Sequence, residues 1–358
     1  MNRIFRKLLD NKWYLLLSLI VLMLVYKGYT TYAQYSVFLQ TPITFEKQEI
    51  EYTVKPGASM RHVAKDLVDI GLIEQASFLV VRARMRDLAQ SIKVGEFIIK
   101  NGMRPDQLLD LLVKGKVKQY SLTLIEGWTF KEVMQAVNSH PQLLHTLIEK
   151  KNAEIMTAIG QDGVHPEGWF YPDTYRFPAN TTDVEFLKRA NRHMHNYVNE
   201  QWKGRDSNLP IKTPYEALIL ASIIEKETAQ QVEYGQIAGV FIRRLNKGIR
   251  LQTDPTVIYG LGDKFNGNLK RKHLRQDTPY NTYTRKGLPP TPIALPGGQA
   301  IYSALHPADG KTLYFVAKGN GMHQFSKTLK EHNEAVIRYQ LKGNRNKAFS
   351  SKPVVTKK

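Results

Sequence analysis

Near the N-terminus the chain carries an uncharged apolar run, Trp13 to Tyr26 (WYLLLSLIVLMLVY), broken in polarity only by Ser18. A helix that is hydrophobic on every side must bury itself in protein or in lipid. The run is short against the ~20 residues that cross a bilayer. Lys27 can snorkel, however, and the continuation GYTTYA carries the pattern to Ala33. Arg3, Arg6, Lys7 and Lys12 precede the run with only Asp10 opposing them. The positive-inside tendency therefore keeps residues 1–12 in the cytoplasm and exports the rest. The sequence predicts a transmembrane anchor over 13–33. Its alternative is a signal peptide cleaved at the small-x-small pattern Thr31-Tyr32-Ala33.

A net charge of +19 and a pI near 9.7 call for an anionic partner: nucleic acid, a membrane surface or an acidic polymer such as a cell wall. Export disfavours nucleic acid, and no nucleic-acid motif is present. Cysteine is absent, which removes disulfides, thiolate nucleophiles and cysteine-ligated metals. The ten histidines are scattered, and His193 and His195 stand two apart, so they do not share a helical face. No metal and no other cofactor is expected.

Residues 34–44 (QYSVFLQTPIT) read as a linker. Beyond it EIEYTV alternates like a strand, and Pro56-Gly57 marks a turn. Ser59 caps a helix with apolar Val63, Leu67 and Ile70 that ends at Gly71. A second helix over ASFLVVRARMRDLA, a strand GEFII and a helix RPDQLLDLLVKG closing at Gly115 complete a small α+β unit, residues 45–118. From 119 to 340 a larger α+β domain is expected, with a strand in YSLTLIEG and helices around 130–160, 183–203 and 214–229. The Pro-, Gly-, Asn- and Tyr-rich stretch from Asp254 to Gly298 reads as long ordered loops. Residues 341–358 are basic and poor in apolar side chains, a disordered tail.

The most informative helix starts at Thr213-Pro214-Tyr215-Glu216, an N-cap, a first-turn proline and a capping box. It continues ALILASIIEKETA, apolar all round through Ile224, and then offers Glu225, Lys226 and Glu227. Glu227 extends the stripe of Leu220, Ile223 and Ile224, whereas Glu225 stands above Leu218, Ala221 and Ser222. A carboxylic acid among apolar side chains loses hydration in its charged form, and its pKa rises. A general acid for a glycosidic oxygen needs that near neutral pH. Periodicity alone favours the ordinary reading, a glutamate at the solvated end of a helix.

Two later segments bear on the choice. LQTDPTVIYG holds Gln252, Thr253, Asp254 and Tyr259, and TPYNTY holds Asn281 and Tyr283. Aromatic faces for sugar C–H surfaces, with amides and hydroxyls for sugar hydroxyls, suit a carbohydrate groove, so these six are the candidate substrate-binding residues. Asp254-Pro255 also has the form of a helix N-cap followed by a first-turn proline. Trp169, Tyr171 and Tyr175 can be core or groove.

The segments EGWFYPDTY (167–175), ASIIEKET (221–228), LQTDPTVIYG (251–260), TPYNTYTRKGLPPTPIALPG (278–297), SALHP (303–307) and YFVAKGNGMHQFSKTLKEHN (314–333) together resemble the YceG-like (MltG) family of endolytic murein transglycosylases. The resemblance covers nearly the whole chain. It implies a single-pass protein of the inner membrane with a periplasmic catalytic domain, and a LysM-like subdomain at about 45–118. It implies Glu227 as the catalyst, the second glutamate of the E-K-E segment. It further implies peptidoglycan glycan strands as substrate and peptidoglycan synthases (penicillin-binding proteins) as partners. The reaction implied is cleavage of the MurNAc–GlcNAc β-1,4 bond within nascent strands, leaving a 1,6-anhydro end and stopping elongation. Where the family form is GLPPGPIANPG, this chain has Thr291 and Leu295, two changes in a loop expected to form the groove.

Two other readings stand beside this one. A hydrolytic muramidase would use Asp254 or Asp173 as a second carboxylate. A non-catalytic membrane-anchored scaffold would bind strands without cutting them.

Overall fold

The computed structural model describes residues 2–341 and divides into two compact units. The first runs to Tyr120 and adds Pro178–Asn180; the second comprises Ser121–Phe177 and the chain from Thr181. The tail expected over 341–358 lies, Leu341 apart, outside the described residues. The architecture is mixed α+β, as expected.

Helix α1 (Asn2–Gln40) contains a stretch, Leu16–Gln40, long and apolar enough to cross a membrane. Its side chains from Leu16 to Tyr32 are almost all exposed, so no protein surface satisfies their apolarity. The linker expected from residue 34 is instead helical as far as Gln40. Nothing in TTYAQYSVFLQ breaks a helix, and the stop comes at Thr41, which the following Pro42 biases away from helical geometry.

The rest of the first unit is β1 (Glu49–Val54), α2 (Met60–Asp69), α3 (Ala76–Met85), β2 (Gly95–Lys100) and α4 (Pro105–Lys114). The two strands pair antiparallel with Tyr52 opposite Phe97. Alternation sends Tyr52 and Val54 inward to meet Val63, Leu67, Leu79, Phe97, Leu108 and Leu112 in one core. The Ser59 side chain accepts from the His62 amide and caps α2 as expected. Two local expectations fail. Ile70 is 55% exposed at the C-cap of α2, because the helix ends before its side chain can rejoin the stripe. Helix α3 stops at Met85, four residues early, and Asp87 turns the chain with φ +54°.

The elements that fall wholly or mostly in the second unit are β3 (Gln119–Thr123), α5 (Phe130–Ser139), β4 (Leu143–Leu144), α6 (Asn152–Ala158), β5 (Thr174–Pro178), β6 (Thr181–Thr182), α7 (Asp183–Lys203), α8 (Pro214–Glu227), α9 (Tyr234–Asn246), α10 (Asp254–Leu261), α11 (Arg271–Arg275), α12 (Gly298–Leu305), β7 (Tyr314–Ala317), β8 (His323–Ser326) and α13 (Leu329–Tyr339). Its strands form only two-stranded pairs, so the helices carry the packing. Helix α8 is the axis: α7, α9, α10 and α12 all pack on it, and Ala217 through Ile224 are buried without a break. That enclosure explains why its sequence is apolar on every side. Thr213 caps it through the Glu216 amide, while the Glu216 carboxylate reaches back to Lys212 rather than to the cap residue. The stretch from Asp254 to Gly298, read as long loops, begins with helix α10, which starts within one residue of the cap that Asp254-Pro255 suggests.

Asp183, fully buried at the start of α7, accepts from the amides of Thr146 (2.7 Å), Leu147 (2.8 Å) and Val184 (2.9 Å) and from the Thr146 hydroxyl. Asp183→Ala strands these donors and is expected to cost on the order of 3 kcal/mol in denaturant unfolding. An unchanged unfolding midpoint would contradict that role.

Candidate active site

The last three residues of α8 take three separate partners. The Glu225 carboxylate accepts from the Gly297 amide (2.9 Å) and the Tyr234 hydroxyl (3.0 Å). Lys226 Nζ donates to the Gly127 carbonyl (3.1 Å). Glu227 accepts a short hydrogen bond from the Thr253 hydroxyl. The first two contacts hold the 127–128 turn and the 295–297 segment against the end of the helix. Those segments also pair directly, Gly127 N to Leu295 O at 2.8 Å and Leu295 N to Trp128 O at 2.7 Å. Glu227 is left as the carboxyl that no backbone group consumes.

Burial pushes the Glu227 carboxyl up to about 7, and the Asp254 charge adds to the rise. The Thr253 hydrogen bond and the Arg244 charge oppose it. Leu220, Ile223 and Ile224 on the same face are fully buried, while Glu227 itself keeps partial solvent access. An acid of this kind is half protonated near neutral pH and still reachable. Glu225 is also raised by burial, so the helical face does not by itself separate the two glutamates. Their hydrogen-bond partners do.

The 251–254 segment reaches Glu227 through a strained turn. Gln252 has φ +53°, a left-handed conformation that costs a non-glycine residue about 1–2 kcal/mol. The turn pairs Gln252 N with Thr282 O (3.2 Å) and Thr253 N with the Thr282 hydroxyl (3.1 Å), which aims the Thr253 hydroxyl at Glu227. Strain of this kind persists only where surrounding contacts over-determine it. Here the buried hydroxyls of Thr256 and Thr282, 2.9 Å apart, brace the turn.

Asp254 follows as the first residue of α10; the N-cap position belongs to Thr253, not to Asp254 as expected. The Asp254 carboxylate is exposed and accepts from the Tyr283 hydroxyl (2.5 Å). Of the six residues expected to bind sugar, Gln252, Thr253, Asp254 and Tyr283 therefore gather at Glu227. The other two do not. Asn281 is buried, its amide nitrogen donating to the carbonyls of His273, Leu274 and Gln276 and its oxygen accepting from Tyr283 N, so its hydrogen-bonding capacity is spent on its own loop. Tyr259 donates to Glu167 (2.9 Å) and stands edge-on to Tyr280.

Thr291 and Leu295 are buried rather than groove-lining. The Thr291 hydroxyl donates to Pro292 O and shares a hydrogen bond with Tyr280. Trp169 and Tyr175 are core: Trp169 stacks between His195 and Tyr215, and Tyr175 donates to Tyr171 O. Asp173 is exposed beside His193 at 3.9 Å and has no part in the surroundings of Glu227.

Two residues were missed. Arg244 is buried, donates to the carbonyls of Leu313 (2.7 Å), Leu251 (2.6 Å) and Arg250 (3.3 Å), and lies over the Tyr314 ring at 5.1 Å. Among the described residues no carboxylate forms an ion pair with it, and its charge acts on Glu227. The sequence held the signal: Arg244 continues the stripe of Ile237, Val240 and Phe241, as Glu227 continues its own. Glu167, pushed up to about 7 by burial, accepts from Tyr259 and from Phe130 N (2.9 Å). It lies in a loop, where periodicity has nothing to show.

The YceG-like family model matches residues 52–338. The endolytic murein transglycosylase of Bacillus subtilis (strain 168) is 31% identical over 315 residues, covering 82% of this chain and 85% of that protein. The endolytic murein transglycosylase of Streptococcus pneumoniae (strain R6) is 26% identical, covering 87% of this chain and 62% of its own longer one. The crystal structure of a yceG-like protein from Listeria monocytogenes aligns with TM-score 0.50 at 29% identity, over 81% of this chain and 99% of that one.

The raised carboxyl at Glu227 makes a signed claim about stability. Between the ordinary glutamate value of 4.5 and about 7, the folded state binds more protons than the unfolded state, so stability falls as pH rises through that window. Glu227→Gln keeps the shape and removes the charge. Its thermal midpoint is expected to exceed that of the parent by several degrees at pH 8, from about 2–3 kcal/mol, with the gap closing below pH 4.5. A midpoint lowered at pH 8 would contradict it.

Proposed function

Because the chain belongs to the YceG-like family, we propose that it is an endolytic murein transglycosylase and that Glu227 is its single catalytic acid and base. The observation that carries the assignment is a carboxyl pushed up to about 7 by burial, on a residue that keeps partial solvent access, and bonded among the described residues to a hydroxyl alone.

Protonated Glu227 gives its proton to the glycosidic oxygen as the bond from the MurNAc anomeric carbon breaks and positive charge develops at that carbon. The resulting carboxylate then takes the proton of the C6 hydroxyl of the same sugar. That oxygen closes on the anomeric carbon, leaving a 1,6-anhydro end. Water does not enter, and Glu227 ends as it began, so no second carboxylate is required, in contrast to hydrolases with paired acids. Thr253 and Arg244 stabilise the transient carboxylate without holding the resting acid ionised. This reading assigns Gln252, Asp254 and Tyr283 to orienting sugar, with Asp254, which a hydrolase would use as its second acid, accepting from the Tyr283 hydroxyl.

The same reading places α1 across the bacterial inner membrane, with the N-terminus cytoplasmic and the units of about 45–118 and 119–340 in the periplasm. Positive charge before the apolar run supports that direction. The strand–helix–helix–strand order of the small unit supports a LysM-like role in holding glycan. Cleavage inside nascent strands makes peptidoglycan synthases the fitting partners.

Glycan strands digested by the parent protein are expected to give fragments whose masses sum to that of the strand, with anhydro ends. Fragments heavier by one water would instead identify a hydrolase. Glu227→Gln is expected to lose about 1,000-fold in rate while still binding strands; a normal rate would refute the assignment. The rate should fall above about pH 7 as Glu227 ionises. In Thr253→Val, which removes a hydrogen bond favouring the charged form, that limb should move to higher pH. A shift to lower pH would contradict the role of Thr253.

A further inference from the structure

Helix α3 carries an apolar stripe that α1 covers only in part. Phe78, Val81 and Met85 fall at i, i+3 and i+7 and share one face. Tyr35 and Phe38 of α1 meet Phe78 edge-on, each with ring centroids 5.6 Å away. The stripe then runs out from under α1: Val81 is 44% exposed and Met85 70%. Leu79 and Ala83, on the other side of α3, are fully buried in the core, so the exposed pair is not needed there.

The uncovered end points toward the membrane side of α1. Phe38 meets Phe78, and Tyr35, one turn nearer the N-terminus of α1, meets both Phe78 and, through its hydroxyl, the Met85 sulfur at 3.7 Å. Ala33, Tyr35, Ser36, Phe38 and Leu39 are partly covered by protein on one side of α1, whereas Tyr26, Tyr29 and Tyr32 are about 70% exposed. Around the covered stretch, Arg82 and Arg86 pair with Asp106 and Asp110, charges that hydrocarbon would not accept. The hydrocarbon therefore ends at or before Ala33. Trp13 to Tyr32 gives roughly 20 residues, or ~30 Å, the thickness of the hydrocarbon core. Tyr35 stands one helical turn, ~5 Å, beyond that limit. An unbroken helix thus holds Met85 at the depth of the lipid headgroups, where exposed Arg84 can reach phosphate.

We propose that the C-terminal turn of α3 is a lipid contact, with Val81 and Met85 entering the headgroup zone of the phospholipid leaflet from which α1 emerges and Arg84 pairing with its phosphates. This rests on the reading of α1 as membrane-spanning. The contact gives the small unit a second hold on the bilayer beside the helix and sets its height above the surface.

The chain has no cysteine, so single substitutions can be labelled uniquely. Full-length Met85→Cys and Tyr29→Cys proteins, each bearing a bimane, are reconstituted into phosphatidylethanolamine–phosphatidylglycerol vesicles with and without brominated acyl chains. Both labels are expected to lose emission in brominated vesicles, that at residue 85 by roughly half of the loss at residue 29, as suits burial ~5–10 Å into the headgroup boundary. Quenching at 29 with none at 85 would overturn the lipid contact and leave the spanning helix intact. Quenching at neither would overturn the spanning reading and the contact with it.

Discussion

The desolvation of one carboxyl group organises the second unit. Helix α8 is enclosed by four other helices, and its last turn carries Glu227 out of that enclosure with an apolar face still beneath it. A charge there gives up much of its hydration, and its neighbours return only part of the loss: one hydroxyl, and the field of an arginine it does not touch. The balance leaves the group about half protonated near neutral pH. A stronger donor set would hold it permanently ionised, and an apolar setting without Thr253 and Arg244 would make its carboxylate too costly to form midway through a reaction.

Much of the surrounding structure serves to keep that balance in place. Glu225 and Lys226, just before the acid in sequence, fasten the neighbouring loops through backbone contacts, and Glu227 takes a hydroxyl instead. The left-handed Gln252 is a local cost carried for the sake of the Thr253 hydroxyl. Arg244 is a buried cation satisfied by carbonyl dipoles alone, an arrangement that is expensive in isolation and useful beside a group that becomes anionic. Gln252 and Arg244 both run against ordinary stability close to Glu227.

What could be read from the sequence divides along physical lines. Periodic features were legible. The apolar N-terminal helix, the alternation of β1, the Ser59 and Thr213 caps and the stripe leading to Glu227 all follow from local sequence pattern. Arg244 obeyed the same rule and was overlooked. The continuation of α1 through residues 34–40 was not legible because its mixed polar and apolar residues resemble a linker, although no breaker stands before Pro42. Features fixed by contacts far apart in sequence were not legible. Asn281 has the composition of a sugar-binding residue, yet its amide closes its own loop. Thr291 and Leu295 occupy a loop whose Pro and Gly content suggests exposure, yet both are buried. The buried Glu167 depends on Tyr259, distant in the chain. The resemblance to a known family, carried by several segments in order, contributed the substrate, which no periodicity could.

The most direct measurement follows the Glu227 carboxyl itself. Protein labelled with 13C at glutamate carboxyls, compared with its Glu227→Gln counterpart to assign the resonance, can be titrated by NMR between pH 4 and 9. A midpoint near 7 is expected, well above the 4.5 of an ordinary glutamate. A midpoint at or below 4.5 would show a solvated, fully ionised side chain, with no proton to give a glycosidic oxygen at neutral pH.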